Sequence, residues 1–422
     1  MTGEALAAAV RIGRSLCETA YWDEERRHCN WMGRADREGP TPGSLAPGTA
    51  ALEPDVYRGS AGVALFLAEL FAVTGDAELL RTAAGAVRRS IRVFLTRPLE
   101  RARPLSYFLG HLGAACVAQR VLELAPEAAD LEAAIDPLLA EVERSLSEPH
   151  PLDLLGGNGG AIPALLRLAR TPGRQDCAAL AERCGRELCA AADRDGTYAR
   201  WPPERAAGPE TAMAAASLPL TGLSHGASGM ALALAELSAW TGDASYLEIA
   251  NEAFAYEDTF FNPAANNWRD VRDAVGVGSF QTAWCHGAPG IGLARLRAME
   301  LDPSLRDAHA ATARIAAGTA VKALAVWLAA PRYDATLCHG IAGLSEIVLT
   351  AGHLLGDGSY LAAAAEAAGE LIRRYGPAGD WPSGMPSGGP SPALMLGTAG
   401  IGYHFLRIHD PGRVPPVLVV GR

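Results

Sequence analysis

The sequence predicts an all-α protein whose helical hairpins close into an α/α toroid, and three observations support this prediction. Aromatic residues make up only 6% of the 422 residues and alanine is abundant, a composition that favours helix over sheet. Glycine pairs of the form Gly-x-x-Gly recur along the chain, and an apolar, helix-compatible run follows nearly every pair. The pairs are spaced by about the length of two helices with their loops.

The first glycine of each pair defines a repeat that occurs seven times. These glycines are Gly59, Gly110, Gly157, Gly226, Gly287, Gly340 and Gly397. We expect the apolar helix after each pair to be the inner helix of a hairpin, and the amphipathic stretch that follows, such as residues 130–146, to be the outer one. In a ring, the glycine turns would crowd at one mouth, where positive φ is available to them and the helix N-termini converge. An open solenoid is the alternative, but no polar capping repeat stands at either end.

The repeats divide the chain into two segments. Residues 1–50 are expected to form an N-terminal extension that packs on the barrel, and residues 51–422 to form the toroid. The two widest glycine spacings hold insertions rich in aromatic residues and proline, at 198–203 and 255–268. Because loops of this kind often carry function, we expect a lid or the lining of a substrate groove there.

Charge and cysteine usage limit the possible partners and compartment. The net charge of −10 argues against nucleic acid or an anionic membrane as the main partner, whereas a peptide partner stays open. The N-terminus lacks a basic region followed by an apolar core, and no uninterrupted apolar run has the length of a bilayer span, so neither a signal peptide nor membrane insertion is expected. The eight cysteines are scattered, which is typical of free thiols and metal ligands in a cytoplasmic protein.

Three consecutive turns carry a histidine before the first glycine, and two of them also carry a cysteine. The three sequences are Ser224-His225-Gly226, Cys285-His286-Gly287 and Cys338-His339-Gly340. The last two turns would be neighbours in a ring, so Cys285, Cys338 and His339 are predicted to hold Zn²⁺. No fourth cysteine occupies an equivalent turn, and a zinc ion with three protein ligands keeps the open position that is typical of catalytic sites.

The charge of such a site indicates the kind of chemistry it performs. Zinc with two thiolates is neutral, and therefore a poor Lewis acid for polarising a carbonyl group or generating hydroxide. A third, incoming thiolate would bring the centre to −1, where coordination lowers the pKa of the thiol yet leaves its sulfur nucleophilic. The ligand set therefore favours activation of a substrate thiol over hydrolysis.

Three further residues are candidates for the catalytic machinery. His225 occupies the matching turn of the fourth repeat and is a candidate general acid/base, with a structural histidine as the alternative. Asp153 precedes the third turn and could orient an imidazole, with capping of a helix N-terminus as the alternative. His286, next to Cys285, is predicted to line the pocket or to donate a hydrogen bond around the metal ligands.

The motifs Ser-His-Gly-x-x-Gly, Trp-Cys-His-Gly-x-Pro-Gly and Leu-Cys-His-Gly-x-x-Gly resemble those of the LanC-like family, the zinc-dependent lanthionine cyclases. The resemblance covers roughly residues 50–415. It implies an α/α toroid, zinc held by Cys285, Cys338 and His339, His225 as acid/base and Asp153 as an active-site carboxylate. The implied reaction adds a cysteine thiolate of a dehydrated precursor peptide to dehydroalanine or dehydrobutyrine, giving a thioether ring.

The chain departs from the pattern of the free-standing, nisin-type cyclases at two places. At the second motif, the pattern of those enzymes resembles Trp-Cys-Tyr-Gly, with a tyrosine at the position of His286. They also carry an arginine shortly before that cysteine, where the nearby positions of this chain are Gln281 and Thr282. We therefore expect His286 to compensate for the missing groups. The Cys-His pattern and residues 409–415 are more similar to the cyclase domain of bifunctional synthetases. Because the chain has no room for a dehydratase domain, a separate dehydratase or kinase/lyase protein is expected to supply the substrate.

Three other functions fit parts of the pattern. The first is a different thiol addition, such as that of glutathione to dehydroamino acids, which resemblance to eukaryotic relatives would suggest. The second is protein prenylation, whose enzymes are also α/α barrels with a zinc-activated thiol, but with an Asp/Cys/His ligand set and shorter repeats. The third is a non-catalytic, zinc-stabilised subunit that binds peptides within a biosynthetic complex.

Overall fold

Helices dominate the computed structural model of the chain, which describes residues 2–38, 45–97, 103–208, 216–272, 279–331, 333–385 and 388–421. The α-helices are α1 (Thr2–Glu18), α2 (Ser60–Thr74), α3 (Ala77–Thr96), α4 (His111–Leu124), α5 (Ala129–Ser145), α6 (Asn158–Ala169), α7 (Cys177–Ala190), α8 (Pro203–Ala206), α9 (Ala227–Thr241), α10 (Ala244–Asp258), α11 (Ala288–Leu301), α12 (Arg306–Ala329), α13 (Ile341–Leu355), α14 (Gly358–Tyr375) and α15 (Thr398–His409). The strands form four short antiparallel hairpins: β1 (Tyr21–Trp22) with β2 (Cys29–Asn30), β3 (Met32–Glu38) with β4 (Leu45–Ala51), β5 (Asp193–Arg194) with β6 (Ala199–Arg200), and β7 (Phe261–Asn262) with β8 (Asn267–Trp268).

The inner helices form a closed ring, which confirms the predicted α/α toroid. Going round the ring, α2, α4, α6, α9, α11, α13 and α15 each contact the next, and α15 contacts α2. The outer helices α3, α5, α7, α10, α12 and α14 each pack on the inner helix that precedes them. The inner helices are apolar around nearly their whole circumference, because each is covered by its outer helix and by the neighbouring inner helices.

The outer helix of the seventh hairpin comes from the other end of the chain. Helix α1 packs against α15 and also contacts α2, α3 and α14. It buries Ala5, Ala9, Ile12 and Leu16, whose spacing of three to four residues defines one face of a helix. The segment 1–50 therefore contributes one of the seven outer helices.

The glycine pairs are required by close packing within the turns. The first glycine of every pair is the N-cap of an inner helix. A Cβ on the second glycine would lie 1.8–2.2 Å from the carbonyl oxygen six residues earlier in all seven turns. Positive φ, the predicted reason for the first glycine, occurs at Gly287 with φ 84°. At the other six N-caps φ is negative, so that part of the prediction was wrong.

Three inner helices pass to their outer helices through the same two-residue turn. The glycine adopts the left-handed conformation, and the aspartate after it accepts a hydrogen bond from the first turn of the outer helix. The pairs are Gly75-Asp76, Gly242-Asp243 and Gly356-Asp357. This combines a C-terminal glycine stop with an N-cap, and it accounts for how tightly the hairpins are connected.

Below the mouth, glutamate–arginine pairs connect neighbouring inner helices. We call the pairs Glu69–Arg120, Glu236–Arg297 and Glu346–Arg407 the ion-pair belt; their closest N–O distances are 2.7, 2.6 and 3.2 Å. All three carboxylates are at most 7% exposed. Most of these residues stand seven positions after the second glycine, about 10 Å further along the helix. Each pair joins two consecutive inner helices and so contributes to ring closure.

The C-terminal tail enters the barrel from the end opposite the glycine turns. Val417, Leu418 and Val420 are buried. Tyr403 donates to the carbonyl oxygen of Pro415 at 2.8 Å, and the Trp284 indole donates to that of Leu418 at 3.1 Å. Because Trp284 belongs to the fifth glycine turn, the tail supports that turn from below.

Among the described residues, one helical segment, Pro303–Ala329, is long and apolar enough by length and composition to cross a membrane. It consists of a short 3₁₀ turn followed by α12, and α12 packs against α11 and α13 in the toroid. A third of its most apolar window is buried there. A single segment of this kind is weak evidence for a membrane span.

Candidate active site

Hydrogen bonds join the seven glycine turns into a circle at one mouth of the barrel. The residue two positions before the first glycine of each turn, which we call the ring position, takes part in nearly all of them. The ring positions are Tyr57, Phe108, Leu155, Ser224, Cys285, Cys338 and Met395. The backbone bonds run from N to O as Tyr57–Phe108, Leu155–Ser224, Ser224–Cys285, Trp284–Cys338, Cys338–Met395 and Met395–Tyr57, at 2.9–3.3 Å. The Ser106 hydroxyl donates to the carbonyl oxygen of Leu155 at 2.6 Å, and this bond completes the circle.

Cys285 and Cys338 occupy neighbouring ring positions, and their thiols are close enough to influence each other's ionisation. Cys338 is buried and Cys285 is half-buried. The contact with Cys338, together with the positive charges of His339, His225 and Arg272, outweighs burial and lowers the pKa of Cys285 to about 7. The same contact and burial raise the pKa of Cys338. The pair therefore ionises in two steps, the first of them near neutral pH.

His339 follows Cys338 and is held by a carboxylate. Its Nδ1 hydrogen-bonds to Asp334, which raises the pKa of His339 even though the ring is partly buried. A carboxylate only accepts, so Nδ1 carries the hydrogen, and in the neutral ring Nε2 has the lone pair. A histidine oriented in this way is typical of metal ligands.

Tyr57 reaches the cysteine pair from the first turn. Its hydroxyl lies 2.8 Å from the sulfur of Cys338. Burial, followed by the nearby Cys338 and Cys285, raises the pKa of Tyr57 well above 10. The phenol therefore keeps its proton at neutral pH and is available as a hydrogen-bond donor.

His225 and Asp153 form a second pair at the same mouth. Nδ1 of His225 lies 2.6 Å from Asp153 Oδ2, and the other oxygen of Asp153 accepts from the backbone N–H of Gly156 at 2.5 Å. Asp153 is fully buried, whereas 12% of the His225 side chain is exposed. Because Nδ1 donates to the carboxylate, Nε2 is the atom of His225 that can take or give a proton.

His286 stands beside His225, with ring centroids 5.9 Å apart. It is 3% exposed, and its ring hydrogen-bonds to the backbone of Thr221. Burial, with the charge of Arg272, lowers the pKa of His286 to about 3. At neutral pH His286 is therefore an uncharged side chain of the pocket wall.

Arg272 supplies a positive charge that the motifs did not predict. Its guanidinium binds the buried carboxylate of Asp270, with Nε 3.0 Å from Oδ1. Arg272 and Cys285 are within electrostatic range, and each stabilises the charged form of the other. An arginine thus stands near the cysteine pair although positions 281 and 282 carry none.

The two insertions were predicted as a lid or the lining of a substrate groove, and that role stays a prediction. Hydrogen bonds connect these parts of the chain to the turns that carry the site. Just after the first insertion, Ala206 of α8 accepts hydrogen bonds from the backbone N–H groups of Leu152 and Asp153, each at 2.9 Å. In the second, Asn267 of β8 donates to the carbonyl oxygen of Gln281 and accepts from Ala288 N, both at 2.9 Å. These bonds help to fix the turns that hold Asp153 and His286.

Two thiols in contact and an imidazole oriented by a carboxylate are a donor set that suits Zn²⁺. In the described part of the chain, no three Cys, His, Asp or Glu side chains are grouped closely enough to hold a metal ion as they stand. Cys285 and Cys338 lie close together, and Nδ1 of His339 is turned to Asp334. The types of these side chains suit zinc, but their present arrangement does not form a complete site, so zinc binding stays a prediction.

The structure places all six candidate residues at one mouth and adds three that the motifs did not indicate: Tyr57, Arg272 and Asp334. Tyr57 was detectable, because it occupies the same ring position as both cysteines. Asp334 was also detectable, since it precedes a turn glycine by a few residues, as Asp153 does. No local pattern marks Arg272, which lies outside the turns.

The chain matches a family model described as lanthionine synthetase C-like protein over residues 50–419. Among solved structures it is similar to nisin cyclase, with 18% identity, a TM-score of 0.66 and coverage of 87% of this chain and 92% of that chain. It is also similar to a sugar epimerase from a ruminal bacterium, with 13% identity, a TM-score of 0.50 and coverage of 98% and 99%. A third similar structure is the Lin0763 protein from Listeria innocua, with 11% identity, a TM-score of 0.52 and coverage of 96% of this chain and 97% of that chain.

At these identities the structural likenesses show the fold alone, and they show that chains with different names share the toroid. The family match is stronger evidence, because it spans nearly the whole chain and includes every glycine turn. The chain therefore belongs to the lanthionine synthetase C-like family.

Proposed function

We propose that the protein is a zinc-dependent lanthipeptide cyclase. In the proposed reaction, the sulfur of a peptide cysteine bonds to the β-carbon of dehydroalanine or dehydrobutyrine, and a proton reaches the α-carbon. The observation that carries the proposal is the convergence of the cysteine pair and the His225–Asp153 pair at one mouth of a chain of this family. The substrate is a dehydrated precursor peptide, supplied by a separate dehydratase or kinase/lyase protein.

Zinc held by Cys285, Cys338 and His339 would supply the substrate cysteine as a thiolate at neutral pH. His225 gives a proton from Nε2 to the α-carbon as the thioether forms. Asp153 fixes the tautomer and the orientation of His225. These roles use only ionisable groups that lie at the mouth of the barrel.

Negative charge develops on the substrate carbonyl as the sulfur adds, and Arg272 is the cation placed to stabilise it. His286 is uncharged at neutral pH, so its part is that of a pocket wall and a fixed polar neighbour of His225. We infer that Arg272 takes the role of the arginine absent from positions 281 and 282. Asp270 holds the guanidinium in place through its short contacts.

We also place the reaction in the cytoplasm. All eight cysteines of the chain are free thiols, which is typical of a reducing compartment. The substrate cysteine must likewise be a thiol when it adds to the double bond. An oxidising compartment would remove both the metal ligands and the nucleophile.

The test is cyclisation of a dehydrated, cysteine-containing peptide, followed by mass spectrometry as the loss of thiols that can be alkylated. We expect zinc-loaded protein to remove these thiols, and chelated protein or the Cys338→Ala variant to leave them. The matched control is Cys184→Ala, which removes an equally buried thiol outside the mouth. If the wild type joins added glutathione to the peptide but closes no ring, the proposed intramolecular reaction is wrong.

A further inference from the structure

We propose that Tyr57 is a positioning residue that withdraws charge from the sulfur of Cys338 when zinc is bound, so that the two thiolate ligands are unequal. The inference rests on the proposed zinc site. Its basis is the 2.8 Å contact between the Tyr57 hydroxyl and Cys338 Sγ. No hydroxyl or amide of the described residues makes such a contact with the sulfur of Cys285.

The direction of the hydrogen bond follows from the chemistry of the metal site. A sulfur bound to zinc carries no hydrogen, so it can only accept. The phenol of Tyr57 is the only partner that can donate in this contact. A hydrogen bond from a neutral donor to a charged sulfur is of the strong, charge-assisted kind.

The backbone and the neighbouring rings hold Tyr57 in this position. Its N–H donates to Phe108 and its carbonyl oxygen accepts from Met395, so both sides of Tyr57 belong to the mouth circle. Its ring meets the edge of Phe108 at 6.3 Å, and Phe108 packs on Trp284 at 5.2 Å. Trp284 directly precedes Cys285, so one aromatic row spans the floor of the site.

The repeat itself explains why a tyrosine can reach the ligand. Tyr57 is at the ring position of turn one, as Cys285 and Cys338 are in turns five and six. Side chains at this position meet across the mouth. The fold therefore supplies a hydrogen-bond donor to a ligand from the same structural position that supplies the ligands.

The hydrogen bond has a consequence for catalysis. It reduces the electron density that Cys338 gives to the metal, so the metal draws more from the sulfur of the incoming substrate. Such contacts around the ligands tune the charge of a metal site. Tyr57 thereby favours ionisation of the substrate thiol, while Cys285 remains the more electron-rich of the two protein ligands.

Cobalt-substituted protein tests the inference, because Co²⁺ bound by thiolates has sulfur-to-metal charge-transfer bands. In Tyr57→Phe the sulfur of Cys338 becomes richer in electrons, and we expect the band to move to longer wavelength. We also expect zinc binding, measured by competition with a chelator, to weaken about 10–100-fold, because the loss of the hydrogen bond that favours the thiolate form of Cys338 outweighs its stronger donation to the metal. The control is Tyr403→Phe, which removes a hydrogen bond of 2.8 Å to Pro415 and should leave the band in place.

A second variant tests the same claim with almost no change in packing. 3-Fluorotyrosine at position 57 is a stronger donor, so the band should move to shorter wavelength, opposite to Tyr57→Phe. A band that stays fixed in both variants overturns the role of Tyr57 and leaves the zinc site intact. If the unsubstituted protein takes up no cobalt, the metal site itself is wrong, and the inference falls with it.

Discussion

The mouth of the barrel and the ion-pair belt below it are built on the same inner helices but use polar side chains in opposite ways. In the belt, each buried carboxylate meets a guanidinium on the neighbouring inner helix, as in Glu69–Arg120. At the mouth, groups that can ionise keep free positions, such as Nε2 of His225, whose Nδ1 alone binds Asp153. The belt and the apolar faces close the ring, and the mouth is left free for chemistry.

This separation has a simple structural cause. Inner helices are fixed by packing along their length, whereas the turns before them are fixed by backbone hydrogen bonds of the mouth circle. Polar side chains at the turns, such as His225, are therefore not needed to hold the ring together. We expect substitutions at the mouth to reduce activity without unfolding the protein, and substitutions in the belt to do the reverse.

The largest effect is expected at the mouth. His225→Ala should lower the cyclisation rate by about 10²- to 10⁴-fold, because a positioned acid/base is lost, while zinc content and urea denaturation stay unchanged. The control is His28→Ala, since His28 is paired with Asp23 at 2.7 Å in the first hairpin, away from the turns. Full activity of His225→Ala, measured by thiol alkylation, would contradict the acid/base role.

Substitutions in the ion-pair belt are expected to lower the stability of the fold. Glu346→Gln removes the carboxylate that binds His404 and Arg407 in the barrel interior, and we expect a loss of about 3–5 kcal/mol in the free energy of unfolding. Zinc binding should be unaffected. The comparison is Glu78→Gln, whose exposed pair with Arg81 should contribute at most about 1 kcal/mol. Equal losses in the two urea curves would show that the belt has no special role.

A pH effect on stability is expected at His309, a buried residue of the outer helix α12. Burial, with the charge of Arg295 against that of Asp302, lowers the pKa of His309 to about 4. The unfolded chain binds a proton below about pH 6.5, but the folded chain does so only below about 4. Stability should therefore decline as pH falls through this window, by about 3 kcal/mol in total.

The variant His309→Leu isolates this effect, because it removes the imidazole at a site packed on Phe254. We expect the difference in unfolding free energy between wild type and variant to change between pH 6.5 and 4, and to be constant outside that window. A difference that is independent of pH would show that His309 titrates alike in both states.

The smallest effect is expected at a helix cap. Asp243 accepts from Ser245 N at 2.9 Å at the start of α10, so Asp243→Ala should cost about 1 kcal/mol and leave activity intact. Asp153 offers the contrast, because its carboxylate binds His225 rather than only the backbone. Asp153→Asn should lower activity with little loss of stability, and the reverse result would make Asp153 a structural residue.

The sequence allowed the toroid and the pairing of its turns to be predicted because the glycine repeat is regular and contact between neighbours is local. The juxtaposition of Cys285 with Cys338 followed from the same regularity. Tyr57 was not predicted, because it shares with the cysteines only its repeat position and not the residue types, Cys and His, that indicate a metal site. Arg272 and helix α1 could not be found in this way, since their places depend on contacts between segments far apart in sequence.

The insertions teach a related lesson. Their composition indicated loops with a role at the substrate, and this stays a prediction. The hydrogen bonds that Asn267 and, just after the first insertion, Ala206 make with the turns could not be predicted from composition, because they depend on contacts between separate segments. His286 shows the same limit, because only its burial reveals that it is uncharged.

The most direct test of the central claim is the zinc content of the purified protein, measured by mass spectrometry of the metal. We expect close to one zinc ion per chain in the wild type and in Cys184→Ala. We expect a large loss of zinc in Cys285→Ala, Cys338→Ala and His339→Ala, each of which should remain folded. A wild type without zinc, or full zinc content in the three ligand variants, would contradict the claim.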